Sequence, residues 1–171
     1  EIADLDEAPH VLYTAMVMPQ IQTLMEQLDA AGLGDIVVMG ADAFDATVVW
    51  SAGEVANGVF FAAHTFPADS NGVQAFLDEA AAAGASIETI SFGALSADAV
   101  QIIAAAATSA CSLDGAALTA AIDGLVNQPV TTGTVTFAGT GGVPEKDVAI
   151  LTVEDGAPVL VEMMRPEFIA G

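Results

Sequence analysis

The chain has 171 residues, 54% of them hydrophobic, and its 23 Asp and Glu residues outnumber two cations to give a formal net charge of −21. The apolar content excludes a chain that is disordered throughout, and the charge excludes nucleic-acid binding, which needs Lys and Arg. No uninterrupted apolar run reaches the 18 residues that predict a membrane span. The acidic excess indicates a solvated surface, with adaptation to salt or attraction of cationic ligands as alternatives.

The first half of the chain alternates strand-like and helix-like segments. Residues 11–17 (VLYTAMV) form an apolar run that fits a strand buried on both faces. An apolar stripe from Ile21 to Leu28 has helical spacing and predicts an amphipathic helix. The elements expected next are a strand at 36–39, a short helix over 44–51 and a strand at 59–63.

The second half is predicted to contain three helices and then strands. The first helix follows the turn cluster at 69–72, the second is capped by Ser96 and runs to Ala107, and the third is capped by Asp114. Strands follow at 131–137, 148–153 and 159–161, with a hairpin signal at Asp155-Gly156. This alternation predicts an α/β three-layer sandwich with a mostly parallel sheet and a C-terminal β-hairpin.

The sequence lacks the motifs of common enzyme and metal sites. Cys111, His10 and His64 are too far apart for zinc spacing, and the phosphate-loop and nucleophile-elbow motifs are missing. Cys111 is interpreted as an inert thiol, and His64 as a structural residue or a ligand contact at a strand end. We therefore predict no metal and no other cofactor.

Asp42 and Asp45 are the best-placed pair of carboxylates. They follow the strand predicted at 36–39, and ligands of α/β proteins bind at the carboxyl ends of strands. Capping of the next helix by either residue is the alternative. A single carboxylate in a cleft is also a natural partner for a ligand ammonium group.

Several stretches carry a further pattern when they are taken in order. They are 18–24 (MPQIQTL) running to 31–33 (AGL), 40–44 (GADAF), 54–59 (EVANGV), 94–100 (ALSADAV) and the strand from Gly133 to Phe137 with the closing hairpin. Between about Val11 and Val161 the chain resembles the second half of the branched-chain amino-acid (Leu/Ile/Val) substrate-binding proteins of ABC transporters. Those are type I periplasmic binding proteins with two α/β lobes and a cleft.

The resemblance implies a ligand site around Asp42. In the family, an acidic residue just after the corresponding glycine accepts the ammonium group of the ligand, and Asp42 occupies that place. The preceding strand-to-helix turn also faces the ligand, and here it offers Thr14, Met16 and Val17 without the aromatic residue often found there. Phe44, at the end of the GADAF stretch, is also predicted to be a ligand-binding residue.

The resemblance also implies that the first lobe is missing. Residues 10–90 would be part of the second lobe, and 91–171 would belong partly to the first lobe or the interlobe region. Apolar surface would then be left uncovered, which predicts self-association.

The function implied is non-enzymatic. It is that of an extracytoplasmic solute-binding component, periplasmic or lipid-anchored, which presents a small amino acid (branched-chain or related) or amide to a membrane permease. The alternatives are a ligand-sensing domain of a regulatory system, or an α/β enzyme that uses Asp42 or His64 as a base.

Overall fold

The computed structural model describes residues 2, 5–16, 20–46 and 56–167 of the chain. Contacts divide the chain into two compact units: unit 1 is Glu1–Ala63 with Ala149–Met163, and unit 2 is His64–Val148 with Met164–Gly171. In chain order the elements are β1 (Val11–Thr14), α1 (Gln20–Ala30), β2 (Val37–Gly40), a 3₁₀ turn (Asp42–Phe44), β3 (Phe60–Ala63), α2 (Val73–Ala82), α3 (Ile90–Ala110), α4 (Gly115–Asp123), β4 (Gln128–Val130), β5 (Gly133–Val135), β6 (Val148–Glu154) and β7 (Ala157–Met164).

Unit 1 is built on a five-stranded sheet with the strand order β1-β2-β3-β6-β7. Strands β1, β2 and β3 run parallel, and β6 is antiparallel to β3. Strands β6 and β7 are joined by Asp155-Gly156, whose φ angles of 50° and 75° suit the type I′ turn of tight hairpins. The predicted α/β class is confirmed, with parallel strands extended by a C-terminal hairpin.

The core of unit 1 forms where the apolar stripe of α1 and alternate strand residues are buried. Ile21, Met25 and Leu28 of α1 are buried, as the helical spacing predicts. The strands contribute Val38, Phe61, Ala63, Ala149, Leu151 and Val153 to the same buried set.

Strand β1 differs from the prediction of a strand buried on both faces. It spans only Val11–Thr14 and lies at one end of the sheet. Val11 is 50% exposed and Tyr13 is 67% exposed, so one face of the strand is open. The prediction was wrong because an apolar run shows only that both faces of a strand could be buried. Whether other elements pack on both faces depends on the tertiary fold.

Unit 2 contains the three predicted helices and a two-stranded sheet of β4 and β5. Asp114 caps α4 as predicted, since its Oδ1 accepts from the N–H groups of Ala116 at 3.0 Å and Ala117 at 3.2 Å. The single strand predicted at 131–137 is instead a short hairpin, in which β4 and β5 flank a turn at Thr131 and Thr132.

Helix α3 begins earlier than the predicted cap at Ser96. Its N-cap is Thr89, and the Ser96 hydroxyl lies inside the helix, where it donates to the carbonyl of Phe92 at 2.8 Å. A serine can bond the backbone in this way within a helix or at its start, so the residue type alone misplaced the start. The length and composition of α3 would allow a membrane span, yet the helix packs against α4 and buries Asp98.

Candidate functional site

The carboxyl ends of β1 and β2 lie side by side in unit 1. The two strands are parallel, and their register pairs Thr14 with Gly40. The segments that leave the strands, 15–16 and 41–45, therefore begin at the same edge of the sheet. Open α/β sheets bind ligands at this edge, so the structure brings Thr14, Met16 and Asp42 to the kind of place that the sequence predicts.

A local hydrogen bond shapes the segment after β1. The backbone N–H of Met16 donates to Thr14 Oγ1 at 3.2 Å. This bond turns the chain directly after the strand and leaves the Met16 side chain 44% exposed. Val17, the third residue predicted in this turn, lies outside the described residues.

Close packing between Gly40 and Phe44 shapes the segment after β2. A Cβ atom on Gly40 would overlap the ring of Phe44, so glycine is needed for this approach. The turn is closed by bonds of 3.0 Å from Phe44 N–H to the carbonyl of Ala41 and from Asp45 N–H to that of Asp42. The short helix predicted over 44–51 is thus replaced at its start by a 3₁₀ turn, and 47–51 lie outside the described residues.

Phe44 supports the turn from inside the unit. Its ring is fully buried and lies 6.4 Å, centroid to centroid, from the ring of Phe61 in β3. With no exposed surface, Phe44 holds the backbone around Asp42 in place rather than presenting a face to solvent.

The two carboxylates of the predicted pair lie in different environments. Asp42 is partly exposed and sits in the first turn of the 3₁₀ segment, whereas Asp45 is 1% exposed. The N-cap of the 3₁₀ turn is Ala41, without a side-chain cap bond. Of the pair, Asp42 is the carboxylate that a solute can reach.

The remaining candidates from the sequence lie elsewhere. His64 belongs to unit 2, where its ring is 5.8 Å from that of Phe92 in α3. His10 and Cys111 are both exposed, and Cys111 ends α3 in the left-handed conformation with φ of 49°. Among the described residues, no group of three or more His, Cys, Asp or Glu side chains could hold a metal ion.

Sequence reasoning missed a buried polar cluster in unit 2. Asp98, 3% exposed, accepts from the N–H of Thr132 at 3.0 Å and from its hydroxyl at 2.6 Å. Lys146 Nζ donates to the same hydroxyl oxygen at 3.0 Å. Burial lowers the pKa of Lys146, although the nearby charges of Asp98 and Asp147 act in the opposite direction. The one available signal was that Lys146 is the only lysine of the chain.

Solved structures share this fold over nearly the whole chain. A leucine-binding protein of Thermotoga maritima superposes with a TM-score of 0.80 at 21% identity, covering 94% of this chain and 46% of its own. A solute-binding protein of an R. palustris ABC transporter, in complex with benzoate, superposes with a TM-score of 0.75 at 22% identity, and the match covers 99% of this chain and 48% of that protein. A branched-chain amino-acid transporter substrate-binding protein of Streptococcus pneumoniae, in complex with isoleucine, has a TM-score of 0.76 at 18% identity, and the match covers 94% of this chain and 46% of that protein. The chain thus spans about half the length of these proteins.

The sequence itself carries the family assignment. No curated protein matches the chain. A sequence model of the family described as periplasmic binding protein matches residues 5–158, which is most of the chain. Together with the shared fold, this match shows that the chain belongs to the periplasmic binding protein family.

Proposed function

We propose that the chain forms part of a solute-binding component of an ABC transporter for small amino acids, branched-chain or related, or for amides. The observation that carries the proposal is the partly exposed Asp42 at the carboxyl ends of two parallel strands. Support comes from the family and from two solved proteins of similar fold, of which one is a leucine-binding protein and the other was solved in complex with isoleucine. The function is binding without catalysis, in an extracytoplasmic location as is typical of this family.

In this proposal Asp42 accepts the ammonium group of the ligand through charge-assisted hydrogen bonds. Met16 forms an apolar wall, and its unbranched thioether can adapt to different aliphatic side chains. Thr14 fixes the turn that presents Met16. Val17 stays a predicted ligand contact from the sequence alone. Phe44 contributes through the buried support that it gives to the Asp42 turn.

In this proposal a ligand carboxylate is bound mainly by groups outside unit 1. The two cations of the chain are Lys146 and Arg165, and both belong to unit 2. Arg165 also pairs with Asp147, at 2.7 Å between Nε and Oδ1. We therefore propose that a full amino-acid site also needs the first lobe of the family, and that the two lobes close over the ligand about a hinge before a membrane permease receives it.

The two units suggest how the chain relates to those lobes. We propose that unit 1 corresponds to part of the second lobe and unit 2 to part of the first. The boundaries between the units at 63/64 and 148/149 then replace the single division near residue 90 as the points where the chain crosses between lobes.

The proposal is tested by residue-resolved NMR titration with leucine. We expect weak binding, with a dissociation constant on the order of millimolar, and shifts at the amides of 14–16 and 40–42. Asp42→Asn should abolish these shifts, whereas Asp69→Asn, an exposed acid of unit 2, should retain them. Tight binding of leucine by the chain alone would contradict the need for a complete first lobe.

The ligand class is tested in the same experiment. Isobutylamine is the branched-chain amino acid valine without its carboxylate, and isovalerate is valine without its ammonium group. We expect isobutylamine and not isovalerate to shift the amides of 40–42. Because one solved relative holds benzoate, a response to benzoate and isovalerate alone would overturn the assignment of Asp42 to an ammonium group.

We also propose that two copies of the chain associate through the edge strand β1 and the exposed apolar face beside it. Val11, Tyr13, Val37 and Met39 are apolar residues that are 39–67% exposed on β1 and β2. Strand β1 lies at the end of the sheet, and an exposed edge strand can pair with a strand of another molecule. We expect β1 to pair with β1 of a second copy in a two-fold symmetric dimer. Sedimentation at several concentrations should show a dimer that Tyr13→Asp dissociates, and a monomer throughout would refute this pairing.

A further inference from the structure

A cavity of about 250 Å³ lies in unit 1 at the amino ends of β2 and β3, the opposite end of the strands from Asp42. Its floor is apolar and belongs to the core. Met25 and Leu28 of α1, Val38 of β2 and Val59 before β3 line it and are all buried. The floor therefore offers an apolar surface to any molecule that enters.

The rim of this cavity is polar and acidic. Asp29 lies near the end of α1, Asp35 just before β2 and Asn57 just before β3, and all three are exposed. Within the part of the chain that the structure describes, none of these side chains forms a hydrogen bond or an ion pair with another residue. Two carboxylates and one amide oxygen are thus available at the mouth of an apolar cavity.

This combination selects a class of ligand. The rim carboxylates repel anions, and the net charge of −21 raises the local concentration of cations. A divalent metal ion prefers six or more oxygen ligands and has no use for an apolar floor. A primary ammonium group can instead donate hydrogen bonds to carboxylates at the rim while its alkyl tail contacts the apolar floor.

The volume of the cavity and the charge of its rim limit further which ligands can bind. A cavity of about 250 Å³ is below the range of about 300–1,000 Å³ for drug-sized ligands, which limits the tail to a few carbon atoms. An amino acid would bring its own carboxylate against Asp29 and Asp35, and unit 1 contains neither Lys nor Arg to neutralise it. We infer that this cavity is a second binding site, specific for small primary alkylamines in their cationic form that lack a carboxylate.

NMR titration with isobutylammonium chloride at low ionic strength tests this inference. We expect saturable shifts at the amides of 33–37 and 57–59, weakened on the order of tenfold by Asp29→Asn or Asp35→Asn because each removes a charged hydrogen-bond acceptor. The matched control is Glu26→Gln, on the same helix but outside the cavity, which should leave the affinity unchanged. An equal loss in the control would reveal diffuse counterion attraction and overturn the site.

Two further arms separate the apolar and charged contributions. Gly34 lines the cavity, and a Cβ there would meet only Asp29 Oδ1 at 3.7 Å, so the backbone can carry a larger residue. We expect Gly34→Leu to obstruct the cavity and to weaken the binding of isobutylammonium. Isobutanol, which is neutral, should bind far more weakly than isobutylammonium, and equal binding would refute the role of the carboxylates. Shifts at 14–16 and 40–42, which Asp42→Asn removes, report the other site, so failure of one proposal is distinguishable from failure of the other.

Discussion

Asp42 and Asp98 are aspartates of the same chain in opposite surroundings. Asp42 is partly exposed at the edge of the unit 1 sheet, whereas Asp98 is buried in unit 2 and accepts two hydrogen bonds from Thr132. A buried carboxylate with its partners in place holds a fold together, while a partly exposed carboxylate at a strand end can be reached by a solute. The difference separates a structural acid from a candidate binding acid.

The largest effect that we predict is on stability, when each of the two aspartates is replaced by alanine. Asp98→Ala should lower the free energy of unfolding by about 3 kcal/mol, because the buried N–H and hydroxyl of Thr132 lose their acceptor. Asp42→Ala should lower it less, by about 1 kcal/mol or below, because the Asp42 carboxylate is partly exposed. Urea unfolding of both variants measures this, and equal losses would erase the distinction between the two acids.

A smaller effect is predicted at the support of Asp42. Gly40→Ala should cost about 2 kcal/mol, because the added methyl group overlaps the Phe44 ring and overpacks the core. Gly34→Ala is the matched control, since its Cβ would meet only an ordinary contact. If the overlap is the cause, Phe44→Leu should restore part of the stability of Gly40→Ala in the double variant, and no recovery would point to another source of strain.

The smallest effect concerns pH and the Asp98 cluster. The folded pKa of Lys146 lies below its ordinary value of 10.5, so the folded state binds this proton more weakly than the unfolded state does. Stability from this group should rise with pH between the folded pKa and 10.5. The measurement is the unfolding free energy of wild type minus that of Lys146→Met between pH 8 and 11, where a flat or falling difference would contradict the lowered pKa.

Local patterns in the sequence predicted the local features of the fold. The stripe that buries Ile21, Met25 and Leu28, the Asp114 cap and the Asp155-Gly156 turn each depend on residues within a few positions of one another. Their physical causes, namely helical periodicity, capping and the backbone freedom of glycine, act over the same short range. These elements could therefore be predicted without knowledge of the tertiary structure.

Features that depend on distant residues could not be predicted in this way. Asp98 and Thr132 are 34 positions apart, and nothing in the periodicity of α3 indicates their hydrogen bonds. Similarly, the apolar run that begins at Val11 gives no sign of the open face of β1. For the site, the sequence placed Asp42 after β2, while the burial of Phe44 and Asp45 emerged only from tertiary packing.

The exposed thiol of Cys111 has a consequence for any measurement of oligomeric state. As the only cysteine of the chain, it cannot form an intrachain disulfide, but in an oxidising medium it can join two molecules covalently. Association that disappears on adding a reductant would then be a crosslink through the end of α3. Association that survives the reductant, or the substitution Cys111→Ser, would be the kind that non-covalent surfaces produce.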